Sequence, residues 1–152
     1  MLVADVMTPA SVTDSPDETL RASAVRMWEQ QTGSLLVMED DHLAGIVTER
    51  DILKAVARGK DVDVAVAGDL MSRDVLTVSP ETPLHIAARI MASRWIRHLP
   101  VLESGKVVGV VSLRDLVAVL AALGPASGDV NLPADDLVRS RRLSRIEAGD
   151  LD

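Results

Sequence analysis

Two short stretches of this sequence combine a hydroxyl side chain with an aspartate three positions later. They are Thr48 with Asp51 and Ser112 with Asp115, each preceded by a glycine and a short apolar run. At the start of a helix the first backbone N–H groups lack intrahelical partners, so such a pair can cap the helix. The same N–H groups and the helix dipole attract phosphate, and a carboxylate can accept hydrogen bonds from both ribose hydroxyls. The pattern therefore indicates either a helix cap or a phosphate-and-ribose site.

The two motifs belong to a longer internal repeat. The sequence matches itself without gaps at an offset of 64 positions, so that residues 4–57 align with residues 68–121. Two copies indicate a pseudo-twofold pair, because a solenoid needs at least three. The identical pairs include Asp5/Asp69, Met7/Met71, Thr13/Thr77, Leu20/Leu84, Met27/Met91, Leu35/Leu99, Val37/Val101, Gly45/Gly109 and Asp51/Asp115.

Each copy predicts the element order β-α-β-β-α, and the fold class is α/β (α+β). A short extended piece at 12–13 or 76–78 ends in Ser-Pro, and an amphipathic helix follows from Leu20 or Leu84. Two apolar strands come next, at 35–38 and 43–48 or at 99–102 and 107–112, separated by polar hairpin turns. A closing helix runs from Asp51 to about residue 57, or from Asp115 to about residue 123. Because the second closing helix is apolar all round, we expect it to be buried on both sides, between the copies or against another chain.

Composition excludes several functional classes. The 152 residues include no cysteine, no Phe and no Tyr, which removes disulfides, thiolate chemistry, cysteine-ligated metals and most aromatic stacking platforms. No nucleophile is paired with a base, so we expect no enzyme, and the three scattered histidines predict no metal site; His42 beside two aspartates fits a turn better. No apolar run is long enough for a membrane helix and no signal peptide is evident, so we expect a cytoplasmic protein without a membrane partner.

Charge is distributed unevenly between the copies. The net charge of −7 opposes binding to nucleic acid. Residues 4–57 carry four basic and ten acidic side chains, whereas residues 68–123 carry six and five. The second copy is therefore the expected host for an anion. Four arginines in the tail could contact a nucleic acid or a partner, but the favoured explanation is a solvated or frayed helix, because the apolar residues there are too scattered to form a clean stripe.

Together these features resemble a known family. Two β-α-β-β-α units with Asp-x-Met-[Thr/Ser] openings, Leu-Pro-Val-type strands and Gly-h-h-[Thr/Ser]-x-x-Asp closings are similar to a tandem pair of cystathionine β-synthase (CBS) domains, a Bateman module. The resemblance implies CBS domain 1 at residues 1–60, CBS domain 2 at 61–123, and a C-terminal tail at 124–152 that is partly disordered or one short helix. It also implies two units packed sheet to sheet around a cleft with two quasi-equivalent adenosyl sites.

The resemblance further implies which residues bind the ligand. Asp51 and Asp115 would hold ribose hydroxyls, and Thr48 and Ser112 would meet phosphate. Arg97 would supply a cation that faces the phosphates. His98 is either a further, pH-sensitive contact to phosphate or simply a polar residue at the edge of a strand. The adenine would be lined by Val12, Thr13, Ile46, Leu76, Thr77 and Val110.

The copies differ where phosphate charge is expected. Copy two has Arg97 and His98, whereas copy one has Gly33 and Ser34 at the equivalent positions. We therefore predict unequal affinities, with the site at Ser112 and Asp115 filled first. The two tryptophans, Trp28 and Trp95, fall on apolar helix stripes, which favours core or interface packing over adenine stacking.

The leading hypothesis is a non-catalytic regulatory, energy-sensing module that binds an adenosyl ligand, AMP, ADP, ATP or S-adenosylmethionine, in the cleft between the repeats. No cofactor is expected beyond this regulatory nucleotide. Expected partners are a second copy, forming a homodimer through the CBS helices, and an unidentified regulated protein. The alternative is a ligand-independent dimerisation or scaffold domain in which both motifs serve only as caps.

Overall fold

The computed structural model describes residues 1–9 and 12–123, and the predicted tail at 124–152 lies outside the described residues. A 3₁₀ turn at Val3–Asp5 opens the chain. The elements of the first repeat are β1 (Thr8–Pro9), β2 (Thr13–Asp14), α1 (Leu20–Glu29), β3 (Ser34–Glu39), β4 (His42–Thr48) and α2 (Glu49–Ala57). Those of the second are α3 (Ala67–Leu70), α4 (Leu84–Arg94), β5 (His98–Glu103), β6 (Lys106–Ser112) and α5 (Leu113–Leu123).

The strands form two three-stranded sheets, in the orders β2-β3-β4 and β1-β6-β5. Both long hairpins are antiparallel with two-residue loops, since Glu39 pairs with His42 and Glu103 pairs with Lys106. All four loop residues, Asp40, Asp41, Ser104 and Gly105, have positive φ. Positive φ at both central positions defines the type I′ turn, whose twist matches that of the flanking strands. The predicted hairpin turns are therefore confirmed.

The opening segment of each repeat pairs with the other repeat. β1 comes from the first copy but lies antiparallel to β6, with Thr8 opposite Val110. Reciprocally, Ser72 of the second copy exchanges two backbone hydrogen bonds of 2.9 and 3.0 Å with Ile46 of β4. The sequence did not predict this exchange, which ties the two repeats together.

The exchange explains why both motifs contain a glycine. A Cβ added at Gly109 would lie 2.8 Å from the carbonyl oxygen of Thr8 and 3.0 Å from the sulfur of Met7. At Gly45 it would lie 2.6 Å from the sulfur of Met71. The Met-Thr and Met-Ser openings thus pack against the glycine of the opposite copy, where no side chain has room.

Two hydrophobic cores follow the same exchange. The core of the first repeat contains Leu20, Leu35 and Val47 together with Met71 from the second repeat. The core of the second contains Leu99, Val101 and Val111 together with Val3 from the first. Each opening segment therefore contributes apolar side chains to the other repeat's core, and neither core is built from one repeat alone.

Two details differ from expectation. In the second repeat the extended piece at 76–78 is reduced to one parallel bridge, between Val78 and Val101. Of the two alternatives for the second closing helix, burial between the copies is wrong, because Leu116 is buried but Leu120 on α5 is 68% exposed; burial against another chain stays a prediction. Leu116 packs in the core of the second repeat, whereas Val117, Leu120 and Leu123 on the same helix are exposed.

Candidate functional site

A cavity of about 850 Å³ opens between the two repeats. It is formed by β1 and the segment before β2, the C-terminal end of α1, the start of β3, the first turn of α2, the start of β5, and the junction of β6 with α5. Elements from both copies therefore contribute to one site. Its polar and charged lining includes Thr8, Ser34, Glu49, Arg97, His98, Ser112, Arg114 and Asp115.

Ser112 and Asp115 form a closed arrangement at one wall of this cavity. The backbone N–H and the hydroxyl of Ser112 both donate to Oδ2 of Asp115, each at 2.7 Å, and the backbone N–H of Asp115 donates back to the hydroxyl at 3.3 Å. This reciprocal pattern is a helix capping box at the start of α5. Among the described residues no group donates a hydrogen bond to Oδ1 of Asp115, so this oxygen remains available to an incoming donor.

The first repeat has the same cap. The backbone N–H of Thr48 donates to Oδ2 of Asp51 at 2.7 Å and its hydroxyl donates to the same oxygen at 2.9 Å. Neither residue lines the cavity at Ser112 and Asp115. Both motifs therefore cap helices, and the cavity distinguishes the second from the first.

Six of the twelve residues proposed from sequence line this cavity together: Val12, Arg97, His98, Val110, Ser112 and Asp115. The other six do not line it. Of these, Thr13 lies in β2, Ile46 and Thr48 in β4, and Asp51 in α2, while Leu76 and Thr77 lie in the segment that precedes the Val78 bridge.

Arg97 is held by a residue that the sequence interpretation missed. Its Nη2 donates to Oε1 of Glu49 at 2.8 Å, which joins the second repeat to the first. The two residues are 48 positions apart, so no local pattern links them. A signal was nevertheless present, because Glu49 aligns with Leu113 in the repeat and this charge difference falls next to the motif.

His98 lies beside this ion pair at the start of β5. Burial and the neighbouring Arg97 guanidinium lower the pKa of its imidazole below the ordinary value of 6.5. Glu49 and Asp115 act in the opposite direction and Arg114 in the same direction as Arg97. The ring is therefore neutral at pH 7, and can offer one N–H donor and one acceptor.

The predicted core packing of Trp28 is wrong, whereas packing in an interface stays a prediction. Trp28 lies on α1 at the cavity and is 78% exposed, so it does not pack in the core. Its repeat equivalent is Ala92, which is why the alignment gave no sign of an aromatic residue at a site. An exposed indole here offers an apolar face to a molecule that enters the cavity.

The described residues contain neither a candidate metal site nor a candidate membrane-spanning helix. Among residues 1–9 and 12–123, no three His, Asp or Glu side chains are grouped so that they could hold a metal ion. None of the helices in that part of the chain combines the length and the apolar content that a bilayer requires.

The two halves of the site correspond to two copies of one domain type. A model of the CBS domain family matches residues 3–58 and again residues 67–122. This chain belongs to the CBS domain family. Both capping-box motifs and both exchanged openings fall inside the matched ranges, so the CBS pair includes every element described above up to α5.

Relatives support this assignment. An uncharacterized protein of Methanopyrus kandleri is 38% identical over 111 residues, covering 71% of this chain and 57% of that protein. The CBS domain-containing protein YhcV of Bacillus subtilis is 36% identical over 115 residues, covering 75% of this chain and 81% of that protein. This chain thus spans somewhat more than half of the first relative and most of the second.

A solved structure shares the fold. The CBS domain pair of protein MJ0100, in complex with 5′-methylthioadenosine and S-adenosyl-L-methionine, matches with a TM-score of 0.76 and 25% identity. The match covers 81% of this chain and 98% of that one. A CBS pair is a regulatory module.

Proposed function

We propose that this CBS pair is a non-catalytic sensor that binds an adenosyl ligand in the cavity at Ser112 and Asp115. The observation that carries the proposal is the convergence of Ser112, Asp115, Arg97 and Val110 on one cavity of ligand size. The adenosyl ligands named for the MJ0100 pair support the ligand class. AMP, ADP, ATP and S-adenosylmethionine all remain candidates, and no other cofactor is proposed.

The site residues suggest how such a ligand would be held. Oδ1 of Asp115 would accept from ribose hydroxyls, because Oδ2 already serves the cap. The apolar side chains of Val12 and Val110 would line the adenine. Phosphate or another 5′ group would extend toward Arg97 and His98, where the start of α5 also offers its dipole.

Regulation would follow from a difference in affinity between two arrangements of the repeats. A ligand that binds both arrangements equally shifts nothing, so the cavity must change shape between them. We further propose a homodimer through the CBS helices, in a cytoplasmic location that fractionation of cells can test. A regulated partner protein would then respond to the arrangement of this dimer.

A thermal-shift experiment with a matched pair of variants tests the binding site. Wild type, Asp115→Ala and Asp51→Ala are each melted with AMP, ADP, ATP, S-adenosylmethionine and 5′-methylthioadenosine. A true ligand at about one hundred times its Kd should add ~2.7 kcal/mol of stability. Both variants lose the same type of helix cap, so the free energy of unfolding should fall by roughly 0.5–2 kcal/mol in each. We expect only Asp115→Ala to lose the rise in Tm that the ligand produces.

Two outcomes would contradict the proposal. In the first, no ligand raises the Tm of the wild type, and both variants lose only the stability that a helix cap contributes. The chain would then be a ligand-independent scaffold, an alternative that is favoured by the presence of a capping box in both repeats. If Asp51→Ala removes the response and Asp115→Ala keeps it, the ligand occupies the other site.

A further inference from the structure

The ion pair between Arg97 and Glu49 lies inside the proposed ligand cavity. Both residues line it, and their side chains are 45% and 58% exposed, so an incoming ligand can reach either one. Because Glu49 begins α2 of the first repeat and Arg97 precedes β5 of the second, the pair bridges the repeats across the cavity.

The repeat makes this pair asymmetric. The two positions have matching backbone environments, since the N–H of Glu49 donates to the carbonyl of Gly33 at 3.1 Å and the N–H of Leu113 donates to that of Arg97 at 2.8 Å. Glu49 is thus replaced by Leu113 in the other copy, and Arg97 by Gly33. A fully symmetric sequence would place one such ion pair at each of the two equivalent positions. Here the first copy supplies the only carboxylate and the second copy the only guanidinium at these positions, so a single pair forms.

The pair also determines the charge that a ligand meets. The cavity is lined by two carboxylates, Glu49 and Asp115, and by two guanidinium groups, Arg97 and Arg114, while His98 is neutral at pH 7. These charges sum to zero. A polyphosphate entering the cavity must compete with Glu49 for Arg97 and is repelled by the displaced carboxylate at short range.

We propose that Glu49 is the specificity-determining residue of this site, and that it selects adenosyl ligands with little or no negative charge over nucleoside polyphosphates. Because the carboxylate of Glu49 already pairs with Arg97, the positive charge of the guanidinium is neutralised before a ligand enters the cavity. A neutral thioether or a sulfonium amino acid can therefore bind with less disruption than ATP. This inference rests on the proposed function and names the ligand class within it.

Isothermal titration calorimetry with 5′-methylthioadenosine, AMP and ATP tests the inference. The proteins compared are the wild type, Glu49→Gln, Glu49→Leu, which installs the residue of the other copy, and the control Glu39→Gln, which removes an exposed carboxylate that does not line the cavity. We expect wild type and control to prefer 5′-methylthioadenosine to ATP. In Glu49→Gln the ratio of ATP affinity to 5′-methylthioadenosine affinity should rise about tenfold, equivalent to about 1.4 kcal/mol.

Adding Arg97→Gln to Glu49→Gln should reverse this gain, because the released guanidinium is what attracts the polyphosphate. The gain should also shrink as salt increases. If Glu49→Gln and Glu49→Leu both bind 5′-methylthioadenosine with an unchanged ATP ratio, Glu49 is not the selector although the ligand site stands. If none of the three compounds binds any of the proteins, the proposed function itself is wrong and the inference falls with it.

Discussion

At the scale of single residues, the first repeat contains a buried polar cluster that the second repeat lacks. The side chain of Asp14 is completely buried; it accepts from Nη1 of Arg26 at 2.6 Å and from the hydroxyl of Ser23 at 2.5 Å. The equivalent residues in the second repeat are Val78, Ala87 and Ile90. Equivalent positions of the fold therefore accommodate either an ion pair or apolar side chains. The residues of the second repeat can be substituted into the first to test what the polar cluster contributes to stability.

We predict that Arg26→Ile destabilises the protein by roughly 2–4 kcal/mol, because it leaves the Asp14 carboxylate buried without a cation. Arg26 is 33% exposed, so solvent moderates the effect relative to a fully buried pair. The triple variant Asp14→Val, Ser23→Ala and Arg26→Ile installs the apolar set of the second repeat. Urea unfolding should show the triple variant to be more stable than the single one; the opposite order would mean that the polar cluster itself stabilises the fold.

His98 gives a prediction for pH. Because its pKa is lowered in the folded state, the unfolded chain binds more protons once the pH falls below about 6.5, so stability is full above that value and decreases as the pH falls toward the folded pKa. The groups that face the ring are Arg97, Arg114, Glu49 and Asp115.

His98→Ser installs the residue of the other copy, Ser34, and removes this titration. Between pH 7 and pH 5 the free energy of unfolding should therefore decrease more for the wild type than for the variant, as measured by urea unfolding at each pH. Carboxylates common to both proteins cancel in this comparison. Equal decreases would show that burial does not disfavour the protonated ring.

At the scale of elements, the helices and hairpins could be predicted because local interactions determine them. The signals were the Ser-Pro pairs, the amphipathic stripes from Leu20 and Leu84, and the polar two-residue turns. The exchange of β1 could not be predicted, because a two-residue strand has no periodicity and its partner Val110 is about one hundred positions away. The same limit applies to the site: the residues of one motif were predictable, whereas the contact of Glu49 with Arg97 depends on how the repeats pack.

The exchange predicts that the motif glycines are intolerant of a methyl group. Gly109→Ala and Gly45→Ala should each cost about 1–3 kcal/mol, since the added Cβ would overlap a backbone carbonyl of the opposite opening segment at 2.8 Å. Gly33→Ala is the control, because its nearest contact would be an ordinary 3.4 Å from His98. Thermal unfolding of the three variants measures the difference. A Gly109→Ala protein as stable as the Gly33→Ala protein would show that the exchanged segment does not hold this close contact.

At the scale of the whole molecule, the pseudo-twofold relation holds for the backbone and fails for the charges. The caps, the turns, the exchanged openings and the glycines are all duplicated, and they account for the fold. Arg97, His98, Glu49 and Trp28 have no chemical counterparts in the other copy, and all four line one cavity. The duplicated residues therefore build the fold and contribute Ser112 and Asp115 to the site, while the unduplicated ones give this one cavity its own charges and its indole.

The same relation gives the last prediction, which concerns assembly. Leu53 and Val56 on α2 are exposed, and so are their repeat equivalents Val117 and Leu120 on α5. A symmetric pair of apolar helix faces fits the proposed homodimer, in which each patch would be covered by a second copy. We expect the wild type to behave as a particle of twice 16.3 kDa in size-exclusion chromatography with light scattering.

Introducing a charge into both faces, as Leu53→Glu with Leu120→Glu, should produce a monomer at the same concentration, because each change would bury an unpaired carboxylate in the interface. Since both positions are exposed in the single chain, the variant should keep its helical circular dichroism. Val64→Glu, at an apolar residue that is equally exposed but lies between α2 and α3, should leave the dimer intact. A monomeric wild type, or a double variant that still dimerises, would exclude the helix faces as the interface and leave the cavity between the repeats to act within one chain.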